Sequence, residues 1–393
     1  MTFYTDPAFF MLLALLVVPA VICGLREKPL RGFGFIVSLV FIIALFSKDL
    51  PGLAAFVFYL ALSSATTWGY LRLLRKARRG QKPPPRFAYP LALLLVLAPL
   101  VIYKTGVAFD ATLLGFIGIS YITFKTLQVI IEIRDGLIEA MKPLDYLFFL
   151  VFFPSFSSGP ILRSRSFVED ISRPIPAKEY RELLVRAAYR FLIGAFYKIV
   201  CSSVFSIAIW FIPRALGQNS PWMALLGQIG SAWAYGFYLF FDFAGYSLMA
   251  MGVAGAFGVR VPYNFRAPFR SLDIKDFWNR WHITLSFWLR DFVFMRLVRL
   301  IRKRKLISSR LTTSCLGFIA NMGLMGLWHG LTIPYVCYGL YHGLLLAGNE
   351  IFQKSGFYKR NKDRKAYKMV SWFVTFNLVM LGFALFSGQI IPG

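Results

Sequence analysis

The chain of 393 residues holds three histidines, and two of them interrupt a run with no other ionisable side chain of the acidic or basic kind. Residues 311–349 contain no Asp, Glu, Lys or Arg, yet include His329 and His342. An imidazole has an unperturbed pKa of ~6.5, and burial keeps it neutral, which suits it to take a proton from a hydroxyl. His329 is flanked by Gly323, Gly326 and Gly330, small enough to let a substrate or a neighbouring helix approach the backbone. His342 falls mid-helix, where a packing role with a hydrogen bond to a carbonyl is expected. No acidic residue lies near the two, so a metal site is not expected.

The third histidine, His282, lies in DFWNRWHITLSFWLRD, residues 276–291. Asp276 and Arg280 are spaced i, i+4, and Phe277, Trp281 and Trp288 share one stripe, which predicts an amphipathic aromatic helix or a re-entrant dip. His282 is offset from that stripe: two readings are open, a hydrogen-bonded packing residue, the commoner role for a lone histidine, or a residue facing a polar cavity with Ser286, Asn279 being a further polar residue of the same segment. The segment runs on into FMRLVRLIRKRK. There Arg296, Arg299 and Lys303 form a basic face, with Arg302 beside it and Met295 and Val298 supplying apolar contacts, a surface for anionic lipid or an acidic partner.

Two other interruptions are polar. Tyr238, Asp242 and Tyr246 share a helix face at i, i+4, i+8 inside an uncharged stretch, so Asp242 is expected to be a brace held by tyrosine hydroxyls or a distant arginine. In FFPSFSSGPILRSR, residues 152–165, Pro154 and Gly159-Pro160 break the helix and three serines are available to the freed backbone groups. An ordinary kinked helix is the alternative there.

These residues are carried by a membrane protein. Hydrophobic residues make up 58% of the chain, charged residues 16%, and mean hydropathy is +0.60, leaving too little polar surface for a soluble domain of this length. Uncharged runs recur at 7–25, 32–47, 50–71, 87–103, 181–213, 221–258, 311–349 and 369–389. Each approaches the ~20 residues a helix needs to cross ~30 Å of hydrocarbon. The expected fold is an all-α polytopic bundle, one integral membrane domain over residues 1–393, with about 10–12 spans plus re-entrant pieces.

The net charge of +26 sits largely in loops such as 72–86, 296–310 and 354–368. Basic loops between apolar runs are a positive-inside signature, not a nucleic-acid stripe, and they place the N-terminus outside. Residues 311–349 then leave the cytoplasmic side and return to it, with the turn at Leu331–Pro334 facing outward. His329 would stand ~27 Å from the cytoplasmic boundary, and the basic sequence after His282 places that residue near the cytoplasmic end. The four cysteines lie in apolar runs without a C-x-x-C pair, so buried packing is expected. No P-loop, nucleophile elbow or H-E-x-x-H occurs.

In order along the chain, FFPSFSSGPI, YLFFDFAGYS, FWNRWHITLSFWLRD and GLMGLWHG resemble the motifs of the membrane-bound O-acyltransferases, over roughly residues 145–350. The resemblance implies a helical bundle with a central tunnel, His329 as the catalytic histidine, and His282 at a second polar position that is often Asn or Asp elsewhere in the family. It further implies D-alanine transfer to teichoic or lipoteichoic acid outside. The donor would be a thioester on the phosphopantetheine of an acidic cytoplasmic carrier protein. No bound cofactor is implied; a small membrane helper peptide and membrane lipids would be further partners, in a Gram-positive plasma membrane. Leu248 stands where polysaccharide-acetylating relatives usually carry an acidic residue. An O-acetylase of an exported polysaccharide and a non-catalytic lipid or sugar flippase stay open as alternatives, the flippase requiring more charged groups along a pathway.

Overall fold

A computed structural model describes residues 2–80, 83–108, 114–217 and 220–391, so Gln81 and Lys82 of the first basic loop lie outside the described residues. Among the described residues all regular structure is helical. Seven helices are long and apolar enough to cross a membrane: Pro7–Leu25, Leu50–Arg78, Ala88–Val107, Ala177–Leu216, Pro221–Ala256, Arg310–His329 and Lys365–Phe386. The protein is therefore a multi-pass membrane protein. The expected 10–12 spans exceed this number, and the apolar run at 32–47 folds as the shorter helix Arg31–Leu45. By its internal contacts the chain forms two compact units, Met1–Gly194 with Tyr246–Pro262, and Ala195–Gly245 with Tyr263–Gly393. The expected 145–350 core draws residues from both.

The first unit contains α1 (Pro7–Leu25), α2 (Arg31–Leu45), α3 (Leu50–Arg78), α4 (Ala88–Ala108), α5 (Ile119–Arg134), α6 (Pro143–Val151), α7 (Ser164–Ser172) and most of α8 (Ala177–Ala195). Helix starts are encoded locally. Asp6 and Asp49 accept hydrogen bonds from Ala8 N and Gly52 N at 2.9 Å, each followed by a proline in the first turn. Met11, Leu15, Val18 and Ile22 are 75, 69, 59 and 46% exposed along one face of α1, an apolar stripe suited to hydrocarbon rather than water.

The core helix of this unit is α5, buried from Ile119 to Ile133 despite carrying Lys125, Gln128 and Glu132 at i, i+3, i+7. Lys125 Nζ donates to the carbonyls of Phe149 (3.0 Å) and Leu150 (3.4 Å), at the C-terminal end of α6, and to Ser155 Oγ (3.3 Å). A cation there satisfies carbonyls that the helix end leaves without intrahelical donors and meets the negative end of the helix dipole. It fixes the break that the sequence places at Pro154: α6 stops, a 3-10 turn covers Phe153–Ser155, and α7 begins at Ser164. The segment is thus broken rather than kinked. Its serines bond side chains more than backbone, Ser155 receiving Lys125 and Ser157 pairing with Tyr246 Oη at 2.8 Å.

The second unit holds α9 (Ser202–Leu216), most of α10 (Pro221–Ala256), α11 (Ile274–Trp278), α12 (Ile283–Leu289), α13 (Met295–Lys303), α14 (Arg310–His329), α15 (Ile333–Phe352), α16 (Gly356–Asn361) and α17 (Lys365–Phe386). A π-helical turn at Phe196–Cys201 precedes α9, and another at Arg290–Phe294 joins α12 to α13. Helices α14 and α15 form an antiparallel hairpin packed backbone to backbone. A Cβ on Gly339 would lie 2.5 Å from Met322 O, and one on Gly326 2.4 Å from Tyr335 O. Of the two uses open to these glycines, close approach of a neighbouring helix is the one realised at Gly326. Gly323 meets only Leu340, at an ordinary 3.8 Å.

Replacing Lys125 with methionine keeps the stem but leaves the Phe149 and Leu150 carbonyls without this donor. The expected result is a loss of about 1–3 kcal/mol of stability, read as a lowered thermal midpoint in detergent. An unchanged midpoint would show that the α6 terminus is held by other contacts.

Candidate active site

The single aromatic helix expected over 276–291 is two short helices, α11 and α12, with His282 at the break. Asn264 causes it. Its carbonyl accepts from Ile283 N at 2.9 Å, and its side-chain oxygen accepts from Thr284 N (3.3 Å) and Thr284 Oγ1 (2.6 Å). The donors at the start of α12 are therefore satisfied from outside the helix. Asp273 caps α11 by accepting from Lys275 N and Asp276 N, and Asp276 pairs with Arg280 at 2.7 Å as its spacing predicts. Phe277 and Trp281 remain stacked at 5.6 Å in the core.

At the break His282 takes a left-handed backbone, φ 43° and ψ 50°. Non-glycine residues rarely adopt it, at a cost of order 1–3 kcal/mol. Its ring lies edge-on to Phe243 at 4.7 Å, the residue is 5% exposed, and Nδ1 has no hydrogen-bond partner. Ser286 does not serve it, since that hydroxyl donates to Trp281 O at 3.2 Å. Burial, with the charge of His329 adding to it, pushes the His282 imidazole down to about 3. It is neutral at physiological pH.

His329 is the last residue of α14, half-buried, with Gly330 as the C-cap. Its ring is surrounded by Trp328 (4.7 Å), Phe386 of α17 (5.1 Å), Tyr335 (6.0 Å) and Tyr338 (6.4 Å). His329 acts electrostatically on His282, so residues 47 apart in sequence face a common region. The basic sequence that suggested a cytoplasmic placement for His282 begins only at Arg290, after α12.

His342 is fully buried, as its mid-helix position suggested, but its partner differs. Trp278 Nε1 donates to His342 Nδ1 at 3.3 Å, while Nε2 has no partner and presses toward Gly382. The ring accepts from an indole instead of donating to a carbonyl. It also locks α15 to α11, the helix just before the His282 break.

A cavity of about 310 Å³ runs beside these elements in the second unit. Along α14 it is lined by Ser314, Phe318, Asn321 and Met325, one helix face leading toward His329. Leu285, Ser286 and Leu289 of α12 form another wall, so both helices that carry a catalytic candidate border it. Lys275, Asn279 and Arg290, all exposed, stand at its outer part. Asn279 and Ser286 therefore line this cavity, whereas Asp242, Tyr238 and Tyr246 are not among its lining residues. Asp242 pairs with Lys198 Nζ at 2.5 Å, on the π-helical turn, which makes it a brace with a lysine in place of tyrosines or arginine. Tyr238 shares the second unit with Asp242, whereas Tyr246 belongs to the first and bonds Ser157.

On α13, Val298 and Ile301 are buried, and Val298 packs where a Cβ on Gly317 would lie 3.1 Å from it. Val298 is thus unavailable to a partner, and Arg296 is half-buried with its guanidinium 5.9 Å from the Phe292 ring. Met295, Arg299, Arg302 and Lys303 remain exposed. Amphipathicity explains the division: the apolar side of this short helix turns inward and the basic side outward.

Sequence reasoning missed Lys125, Lys198, Trp278 and Asn321. For Asn321 a signal existed, a carboxamide inside an uncharged run, but attention to ionisable groups passed over it.

The chain is similar to known proteins over most of its length. A family model described as MBOAT, membrane-bound O-acyltransferase family, matches residues 55–388. A teichoic acid D-alanyltransferase of Bacillus subtilis (strain 168) is 38% identical over 99% of this chain and 98% of its own length. One from Streptococcus thermophilus is 37% identical over 98% and 94%. A probable alginate O-acetylase AlgI of Pseudomonas fluorescens is 31% identical over 86% of this chain but 66% of its own. With two histidines converging beside a cavity in a multi-pass helical protein, and with these likenesses, the chain is an acyltransferase and belongs to the membrane-bound O-acyltransferase family.

Proposed function

We propose that the chain transfers D-alanine from a phosphopantetheine thioester on a cytoplasmic carrier protein to a hydroxyl of teichoic or lipoteichoic acid, with a small membrane peptide as a further partner. The observation that carries the proposal is that His329 and His282 lie within electrostatic range of one another, on or beside the helices α14 and α12 that wall a cavity. Near-full-length likeness to D-alanyltransferases favours D-alanine over acetate. A thioester is already activated, so the protein has to supply a base and a route. An imidazole nitrogen of His329 takes the proton of the acceptor hydroxyl as its oxygen attacks the thioester carbonyl. The C–S bond then breaks, an ester forms, and the thiolate leaves with a proton returned from the imidazolium. Neutral His282 is placed to orient the carbonyl or the leaving sulfur. The carrier docks on α13, where Met295 offers apolar contact and Arg299, Arg302 and Lys303 meet its acidic surface. The chain would lie in the cell membrane with its N-terminus outside.

Protein reconstituted in liposomes with D-alanylated carrier and acceptor tests the reaction. His329→Ala should lower transfer ~100-fold or more while thermal stability stays near wild type. Retention of more than a small fraction of the activity would remove His329 as the base.

Reversing Arg299, Arg302 and Lys303 to glutamate should weaken carrier binding markedly, and wild-type affinity should fall as salt shortens the Debye length below ~10 Å. Equal affinity for the wild type and the triple variant would exclude this helix as the docking surface.

A further inference from the structure

Asn321 is out of place in the wall it occupies. It sits on α14 between Phe318 and Met325, on the face that lines the 310 Å³ cavity, where Leu285 and Leu289 stand across from it. The residue is 8% exposed and its Oδ1 is buried without a hydrogen-bond partner. A buried acceptor left unmatched is unfavourable, and leucine would fill the same volume without that cost. The arrangement suits a ligand that is apolar over most of its length and brings one N–H donor to this depth.

We infer that Asn321 positions the carrier's arm by accepting a hydrogen bond from its amide farther from the sulfur. The inference rests on the carrier-thioester reading given above. A phosphopantetheine arm alternates methylene segments with two amides, each needing an acceptor once it leaves water. Depth selects between them. Asn321 lies eight residues before His329 in sequence, about 12 Å along the helix at 1.5 Å per residue. An extended chain advances roughly 1.2 Å per bond, so the nearer amide nitrogen, four bonds from the thioester carbonyl, is about 5 Å away. The farther one, eight bonds away, is about 10 Å from it. With the carbonyl at His329, only the farther amide reaches Asn321. The phosphate end of the arm then falls toward Arg290 and toward Lys275, which pairs at 3.4 Å with Glu350 on the same cavity wall.

The test pairs Asn321→Leu with a carrier whose arm has an ester oxygen replacing the farther amide N–H. Transfer rates are measured as a function of carrier concentration in the reconstituted system. With the natural arm, Asn321→Leu should lower kcat/KM about tenfold, chiefly through KM. With the ester arm, wild type should fall to the same level and Asn321→Leu should lose nothing further. An equal loss for the variant with both arms would make Asn321 a packing residue and overturn the inference. So would wild type using the ester arm as well as the natural one, a measurement that needs no variant to fold. If wild type accepts D-alanine from neither carrier, the donor reading itself fails, an outcome distinct from a wild type that is active with both arms.

Discussion

A helix that stops short inside an apolar protein leaves its terminal backbone groups to be satisfied by other parts of the chain, and this requirement organises both units. In the first, Lys125 supplies donors to the carbonyls that end α6. In the second, Asn264 supplies acceptors to the donors that begin α12. Each device permits a break where an unbroken helix would otherwise run. The second break is where His282 sits, so the chemistry of the site depends on a side chain eighteen residues away.

The membrane class was legible because hydrocarbon imposes a single demand, a run of apolar residues without charge, that needs no tertiary information. The helices α1, α3, α4, α10, α14 and α17 follow from such runs. What escaped was α5, whose Lys125, Gln128 and Glu132 look like a helix face turned to water and are instead buried. Whether a polar stripe faces solvent or another helix depends on what packs against it, and one helix carries no record of its partners.

The same division holds at the site. Rarity drew attention to the three histidines, since an ionisable group in apolar sequence needs a reason to be there, and the family resemblance gave His329 and His282 their expected roles. Their convergence was not legible, because the chain between them makes the short helix α12, a π-helical turn and α13 before α14 begins. The carboxylate Asp242 was recognised but its partner was not, as the π-helical turn that presents Lys198 has no clear sequence signature. On α13, Arg299, Arg302 and Lys303 of the expected basic surface are exposed, whereas Arg296 is half-buried beside Phe292 and Val298, assigned outward from sequence, is buried against Gly317 on the adjacent helix.

The left-handed backbone of His282 has a bearing on how this position can vary over evolutionary time. A residue held at φ 43° is screened first by conformation and only then by chemistry. Alanine, serine and the β-branched residues fit that backbone poorly, while Asn and Asp tolerate it through short polar side chains. Exchange of His282 for Asn or Asp then needs no shared catalytic role among the three. They are the polar side chains that the backbone admits, and a lineage can exchange one for another without first rebuilding the turn between the two short helices.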